Sequence, residues 1–149
     1  MQTNFRRKLN LRYFFGAGYT FQLIRSPHSN LKFSLAGFYE ETAFEGMIFS
    51  EAAYNGRSNI ALFRATAYLN AWHRLADQRL RLSYSAYVQP SLDGVANTRF
   101  QANIALIVRL VKGLSFRTQY LYQYEQVVVE GIQRVDGIFS VGIDYQFQR

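Results

Sequence analysis

The sequence predicts an all-β, antiparallel up-and-down fold, and three observations carry the prediction. Apolar and polar residues alternate over seven separate stretches, the period of two that places successive side chains on opposite faces of a strand. The composition suits strands, with 13 Phe and 11 Tyr raising the aromatic content to 17% and only two prolines to break pairing. The stretches are also long. Most approach the roughly 9–11 residues that a tilted strand needs to cross a bilayer, where about five or six are usual in soluble proteins.

Residues 1–10 are polar and basic and suit a loop or the start of a strand. Leu11–Leu23 then sets Tyr13, Phe15, Ala17, Tyr19 and Phe21 against Arg12, Phe14, Gly16, Gly18, Thr20 and Gln22. Its Gly-Ala-Gly lacks the third glycine and the helix of a phosphate loop, so these glycines are expected to ease twist or close packing. Ser26–Asn30 is a turn, and Leu31–Glu41 alternates again, with Leu31, Phe33 and Leu35 opposite Lys32, Ser34 and Ala36. Thr42–Ser58 loses the pattern and forms a long loop. Asn59–Trp72 places Phe63, Ala65, Ala67 and Leu69 opposite Leu62, Arg64, Thr66 and Tyr68. Its polar residues fit no single helical stripe, so it is assigned as a strand.

The clearest hairpin is Arg79–Leu110. Its first arm carries Leu80, Leu82, Tyr84, Ala86 and Val88 on one face, and its second arm Phe100, Ala102, Ile104, Leu106 and Val108. Val111-Lys112-Gly113 is a tight turn, Leu114–Tyr124 is the sixth strand, and Gly137–Phe147 is the seventh. Residues 125–135 connect these two, with Val127-Val128-Val129 extending the strands.

Composition narrows the chemistry. There is no cysteine, which excludes disulfides, and His28 and His73 alone cannot build a zinc site. No apolar run reaches the roughly 18–20 residues of a transmembrane helix, but a membrane barrel escapes that test because half of each strand faces a polar interior. The net charge of +7 suits polyanions such as nucleic acid or lipopolysaccharide phosphates, or else a solvated surface or lumen. Only Arg6-Arg7-Lys8 forms a cluster. Nucleic acid is not the expected partner, because the aromatics fall with the aliphatics instead of interleaving with arginine. A secretory leader is not expected in the stretch after Met1, which alternates like a strand. The chain is therefore expected to be either soluble or a mature or truncated piece.

Three patterns agree on which way the apolar face looks. Connections near 26–30, 74–78 and 111–113 are short, and those at 42–58, 91–98 and 125–135 are longer, as in outer-membrane barrels. The face opposite the apolar one carries Ser, Thr, Gln, Asn and Gly with isolated Arg, which suits a crowded hydrogen-bonded interior. Aromatics near strand ends (Tyr13, Phe100, Tyr122, Tyr124, Tyr145, Phe147) suit interfacial girdles.

The segments LRYFFGAGYTFQLIRSPHSNLKFSLAGFYEE and RLRLSYSAYVQPSLDGVANTRFQANIALIVRLVKGLSFRTQYLYQYE, with a closing VGIDYQF, resemble an uncharacterised family of salt-induced outer-membrane proteins, domain of unknown function 481. The resemblance spans Leu11–Phe147. It implies a β-barrel and carries no catalytic motif. Departures are the lack of an exported N-terminal region and Gln148-Arg149 after the terminal aromatic.

The expectation is therefore a transmembrane β-barrel of the bacterial outer membrane, in one domain over 1–149. Seven strands are odd, and a barrel with both ends periplasmic needs an even number. At least one strand is expected to precede residue 1. The expected role is structural, pore or envelope-stress, without catalytic activity, cofactor or metal. Expected partners are outer-membrane lipid, lipopolysaccharide, the barrel assembly machinery and a small anionic solute. The alternative is a soluble β-barrel binding an apolar ligand inside.

His28 and His73 are expected as hydrogen-bonded turn residues. Glu40-Glu41 with Glu45 and Glu51 could bind a cation, but their spacing matches no ligand pattern and solvated acids are the expectation. The candidate lumen-lining residues are Arg12, Lys32, Arg64, Arg81, Arg99, Arg109, Arg117 and Asp144, with Glu40 and Glu125 as further counter-charges. In a barrel of about eight strands such residues fill the interior. With more strands they would line a weakly anion-preferring pore.

Overall fold

A computed structural model describes residues 2–4, 9–45, 48–76 and 79–145, with the side chains of 2–4 and 9 left aside. One antiparallel sheet contains β1 (Gln2–Asn4), β2 (Leu9–Arg25), β3 (Ser29–Phe44), β4 (Asn59–Leu75), β5 (Leu80–Gln89), β6 (Arg99–Val111), β7 (Leu114–Glu125) and β8 (Val135–Tyr145). Each strand pairs with its neighbour in sequence, giving an up-and-down order. The seven long strands are those expected from alternation. Residues 1–10 contribute the three-residue β1 against the start of β2. Phe147, Arg6-Arg7-Lys8 and Gln148-Arg149 lie outside the described residues.

Strand pairing keeps each face coherent across the sheet. Phe38 pairs with Arg64, Tyr68 with Tyr87, and Arg99 with Glu125, so the polar positions share one side. Ion pairs join β2 to β7 and β3 to β6 across that side, which is therefore the inner face of a curled sheet. The curl does not close. No ladder joins β8 to β1 or β2 among the described residues, so the expected closed barrel is not seen. β1 covers only the end of the β2 edge, and β8 is exposed on almost every residue.

Two glycines permit a close approach early in the sheet. A side chain on Gly16 would collide with Phe38, and one on Gly18 with Ala36. The paired backbones of β2 and β3 thus lie too close for a larger residue, in line with the close-packing expectation.

Connections at residues 26–28, 76–79 and 112–113 are short, and those at 45–58, 90–98 and 126–134 are long. Because the sheet alternates direction, the long ones gather at one end. Gly113 closes the tightest turn with φ of 83°, the left-handed region that glycine enters without steric cost.

The main buried apolar cluster lies at the long-loop end. Phe49, Tyr54, Val127 and Val129 pack on Ile60 and Leu62 of the inner face. Val127–Val129 therefore do not extend the strands outward as expected. They fold back, and the Val128 carbonyl accepts from Ser50 N–H at 2.8 Å while Glu130 N–H donates to Ile48 at 2.8 Å. Burying apolar side chains on Ile60 and Leu62 removes from water a patch that the inner face of β4 would otherwise expose.

Candidate functional site

Directly inside the loop cap, the inner face gathers charge. Arg12 from β2, Glu40 from β3, Arg64 from β4 and Arg99 from β6 are all buried, with Arg64 completely so. Glu40 is the hub. Arg99 Nη1 donates to its Oε2 at 2.5 Å, Arg64 Nε lies 3.3 Å from the same oxygen, and Arg12 Nε lies 3.6 Å from Oε1. Thr42 Oγ1 donates to Glu40 Oε1 at 3.0 Å and accepts from Arg12 Nε at 3.1 Å.

Glu125 at the end of β7 adds a second carboxylate, 3.8 Å from Arg12 Nη1 and 3.6 Å from Arg99 Nε. Arg64 is anchored further by Asn97 Oδ1 at 2.8 Å, by the Asn97 carbonyl and by the Gln89 carbonyl at 2.9 Å. Charges buried like this require partners, and removing one partner leaves the rest uncompensated. A carboxylate held by three guanidiniums is also a poor proton shuttle. The cluster is built to hold strands and to present positive potential.

Next to this cluster, farther from the cap, lies a cavity of about 550 Å³. Arg12, Arg99, Glu40 and Glu125 form its charged wall, and Phe14, Phe38, Tyr68 and Tyr87 form the aromatic one. Gly16 and Gly18 bring bare backbone to its surface.

A second cavity, about 640 Å³, sits at the short-turn end and is lined by Arg74, Arg79, Arg81, Arg109 and Lys112 with Asp144. Arg74 and Arg81 are paired in the ladder, and each guanidinium lies 5.2 Å from the Trp72 ring centroid. Stacking on one indole offsets the cost of placing like charges opposite each other.

The eight expected interior residues thus divide into three sets. Arg12, Arg64 and Arg99 converge in the buried cluster. Arg81, Arg109 and Asp144 share the cavity at the other end, all exposed. Lys32 and Arg117 join neither set; both are exposed, and Arg117 Nη2 donates to Gln119 at 3.0 Å. Asn97 and Thr42 were not expected. Asn97 lies in a loop without periodicity, while Thr42 keeps the parity of Glu40, a signal that could have found it.

Glu40, expected among solvated acids, is instead buried because three guanidiniums surround it, and Glu41 points to the opposite face, so the two do not converge on a cation. His73 Nδ1 bonds Ser29 Oγ at 3.0 Å and its Nε2 bonds the Tyr84 hydroxyl at 3.2 Å, a structural role at the end of β4. Among the described residues no group of three or more His, Cys, Asp or Glu is placed to hold a metal.

The fold and interior define an all-β protein with an up-and-down sheet that gathers buried charge on its inner face. The model of the family described as Protein of unknown function, DUF481 matches residues 1–147, and the chain belongs to that family. No curated protein and no solved structure matches it.

Proposed function

We propose that the chain forms an outer-membrane β-barrel of structural, pore or envelope-stress type in a Gram-negative envelope, with no catalytic activity of its own. One observation carries this reading: the polarity of the sheet is inverted relative to a water-soluble protein. Buried positions include Arg12, Glu40, Arg64 and Arg99, while Phe15, Tyr19, Phe63, Ile104, Phe139 and Ile143 are exposed. Beyond the row where Tyr13 faces Glu41, and down to Leu23, the outward positions of β2 hold only apolar and aromatic residues. The outward rows of β3 to β8 that continue this belt likewise carry no Lys, Arg, Asp or Glu among the described residues.

The dimensions suit a bilayer. Tyr13 to Leu23 spans about 33 Å along the strand at roughly 3.3 Å per residue. A tilt of roughly 40° reduces that to about 25 Å of height, the apolar band of an outer-membrane barrel. Aromatics rim the belt, with Phe15, Tyr39 and Phe63 in one cross-strand row and Phe100 beside Tyr124. On this reading the outer face meets lipid and lipopolysaccharide, barrel assembly machinery inserts the chain, and pairing at the open edges of β2 and β8 completes an even-stranded wall. The apolar cap and charge cluster favour a filled interior over an open channel, and the basic short-turn end would draw a small anionic solute.

Fractionation tests the proposal. The chain is expected in membranes, resistant to alkaline washing, extracted only by detergent, and shifted on gels by heating. A chain that stays in solution without detergent and shows no heat shift refutes it.

A further inference from the structure

The buried cluster contains three guanidiniums and two carboxylates, so among the described residues it holds one positive charge in surplus. A buried charge without a counter-charge is costly. The surplus is shared by the three guanidiniums: Arg12 and Arg99 lie near both carboxylates, and Arg64 near Glu40 alone. Three of their nitrogens, Arg12 Nη2, Arg64 Nε and Arg99 Nε, are buried with no hydrogen-bond partner. The Arg12 side chain is only 7% exposed, and Arg12 and Arg99 both line the cavity of about 550 Å³.

We propose that this cavity binds a small organic monoanion, a carboxylate carried on an apolar body. The carboxylate would lie against Arg12 and Arg99 of the charged wall, neutralising the surplus. The apolar body would lie against Phe14 and Phe38, whose ring centroids are 5.9 Å apart, over the open backbone at Gly16 and Gly18. The volume falls within the roughly 300–1,000 Å³ usual for small-molecule sites, and a few polar groups in an aromatic wall are their usual lining. A single surplus charge selects a monoanion over a dianion, and the aromatic wall selects an organic acid over a halide. The inference rests on the interior alone and stands apart from membrane location.

The test uses the full chain, folded in an uncharged detergent, with isothermal titration of 3-phenylpropionate and its uncharged amide. The acid is expected to bind one to one, and the amide about tenfold or more weakly, as loss of a charge-assisted hydrogen bond implies. Arg12→Gln is expected to weaken the acid by a similar factor, and Arg25→Gln, exposed and away from the cavity, to leave it unchanged. The acid–amide comparison is made on the unaltered chain, so it decides the matter even if Arg12→Gln fails to fold. Equal affinity for acid and amide, no saturable binding of either, or acetate binding as tightly as phenylpropionate would each overturn the proposal.

Discussion

Glu40→Gln is the sharpest probe of what holds the curled sheet together. The substitution keeps the shape of the side chain and removes its charge. In the native cluster Glu40 lies within 3.6 Å of Arg12, Arg64 and Arg99. Without it, three buried guanidiniums retain Glu125 as their remaining anion, which reaches Arg12 and Arg99 but not Arg64. Breaking a buried pair from one side costs about 3–5 kcal/mol. The Arg64 hydrogen bonds to Asn97 and Gln89 persist, which places the expected loss toward the lower end of that range, about 3 kcal/mol. The assay is equilibrium urea unfolding of the detergent-folded chain, followed by fluorescence of Trp72, the single tryptophan. Glu45→Gln, an exposed loop acid, should change stability by less than about 0.5 kcal/mol. Equal, small effects for both variants would show that the cluster does not hold the inner faces together.

Three other outcomes follow from the same geometry. Glu40→Gln combined with Arg99→Gln should cost less than the sum of the single changes by about 0.5–3 kcal/mol, since each removes the charge that the other leaves unpaired; strict additivity in a double-mutant cycle would contradict the direct contact. Gly16→Val should destabilise by about 1–3 kcal/mol through collision with Phe38, whereas Gly94→Ala, with open space around it, should be close to neutral by urea unfolding. Phe49→Ala should remove the ring packed between Phe44 and Tyr54 and cost about 3–5 kcal/mol if the cap unfolds with the whole sheet. Amide exchange would distinguish that outcome from local opening, in which only Ser50, Val128 and Glu130 lose protection.

Strands were the most legible feature of the sequence because their signal is local. Alternation in Leu114–Tyr124 or Arg99–Leu110 needs no knowledge of the rest of the chain, and the observed β7 and β6 differ from these by one residue at an end. Facing was legible for the same reason: Arg12, Arg64 and Arg99 have inward parity in their own strands. Their meeting was not legible. It depends on the curl that carries β2 to β7 and β3 to β6, and Arg99 and Glu40 lie 59 residues apart. The cap was hidden more deeply, since Phe49 and Val129 sit in loops without periodicity and form a bridge across the molecule. One signal was available. Ile60 and Leu62 are apolar at inward positions just before Arg64, and an apolar pair on a polar face asks for an apolar cover.

The central claim is that the exposed face of the sheet meets hydrocarbon, and Ile104 tests it most directly. This residue is 48% exposed near the middle of β6, where water would tolerate an arginine within about 0.5 kcal/mol. In a bilayer, arginine on the lipid face near the midplane costs about 2–4 kcal/mol. Unfolding of Ile104→Arg from lipid vesicles is therefore expected to show a loss of about 2–4 kcal/mol, and a loss below about 0.5 kcal/mol would contradict a lipid-facing surface.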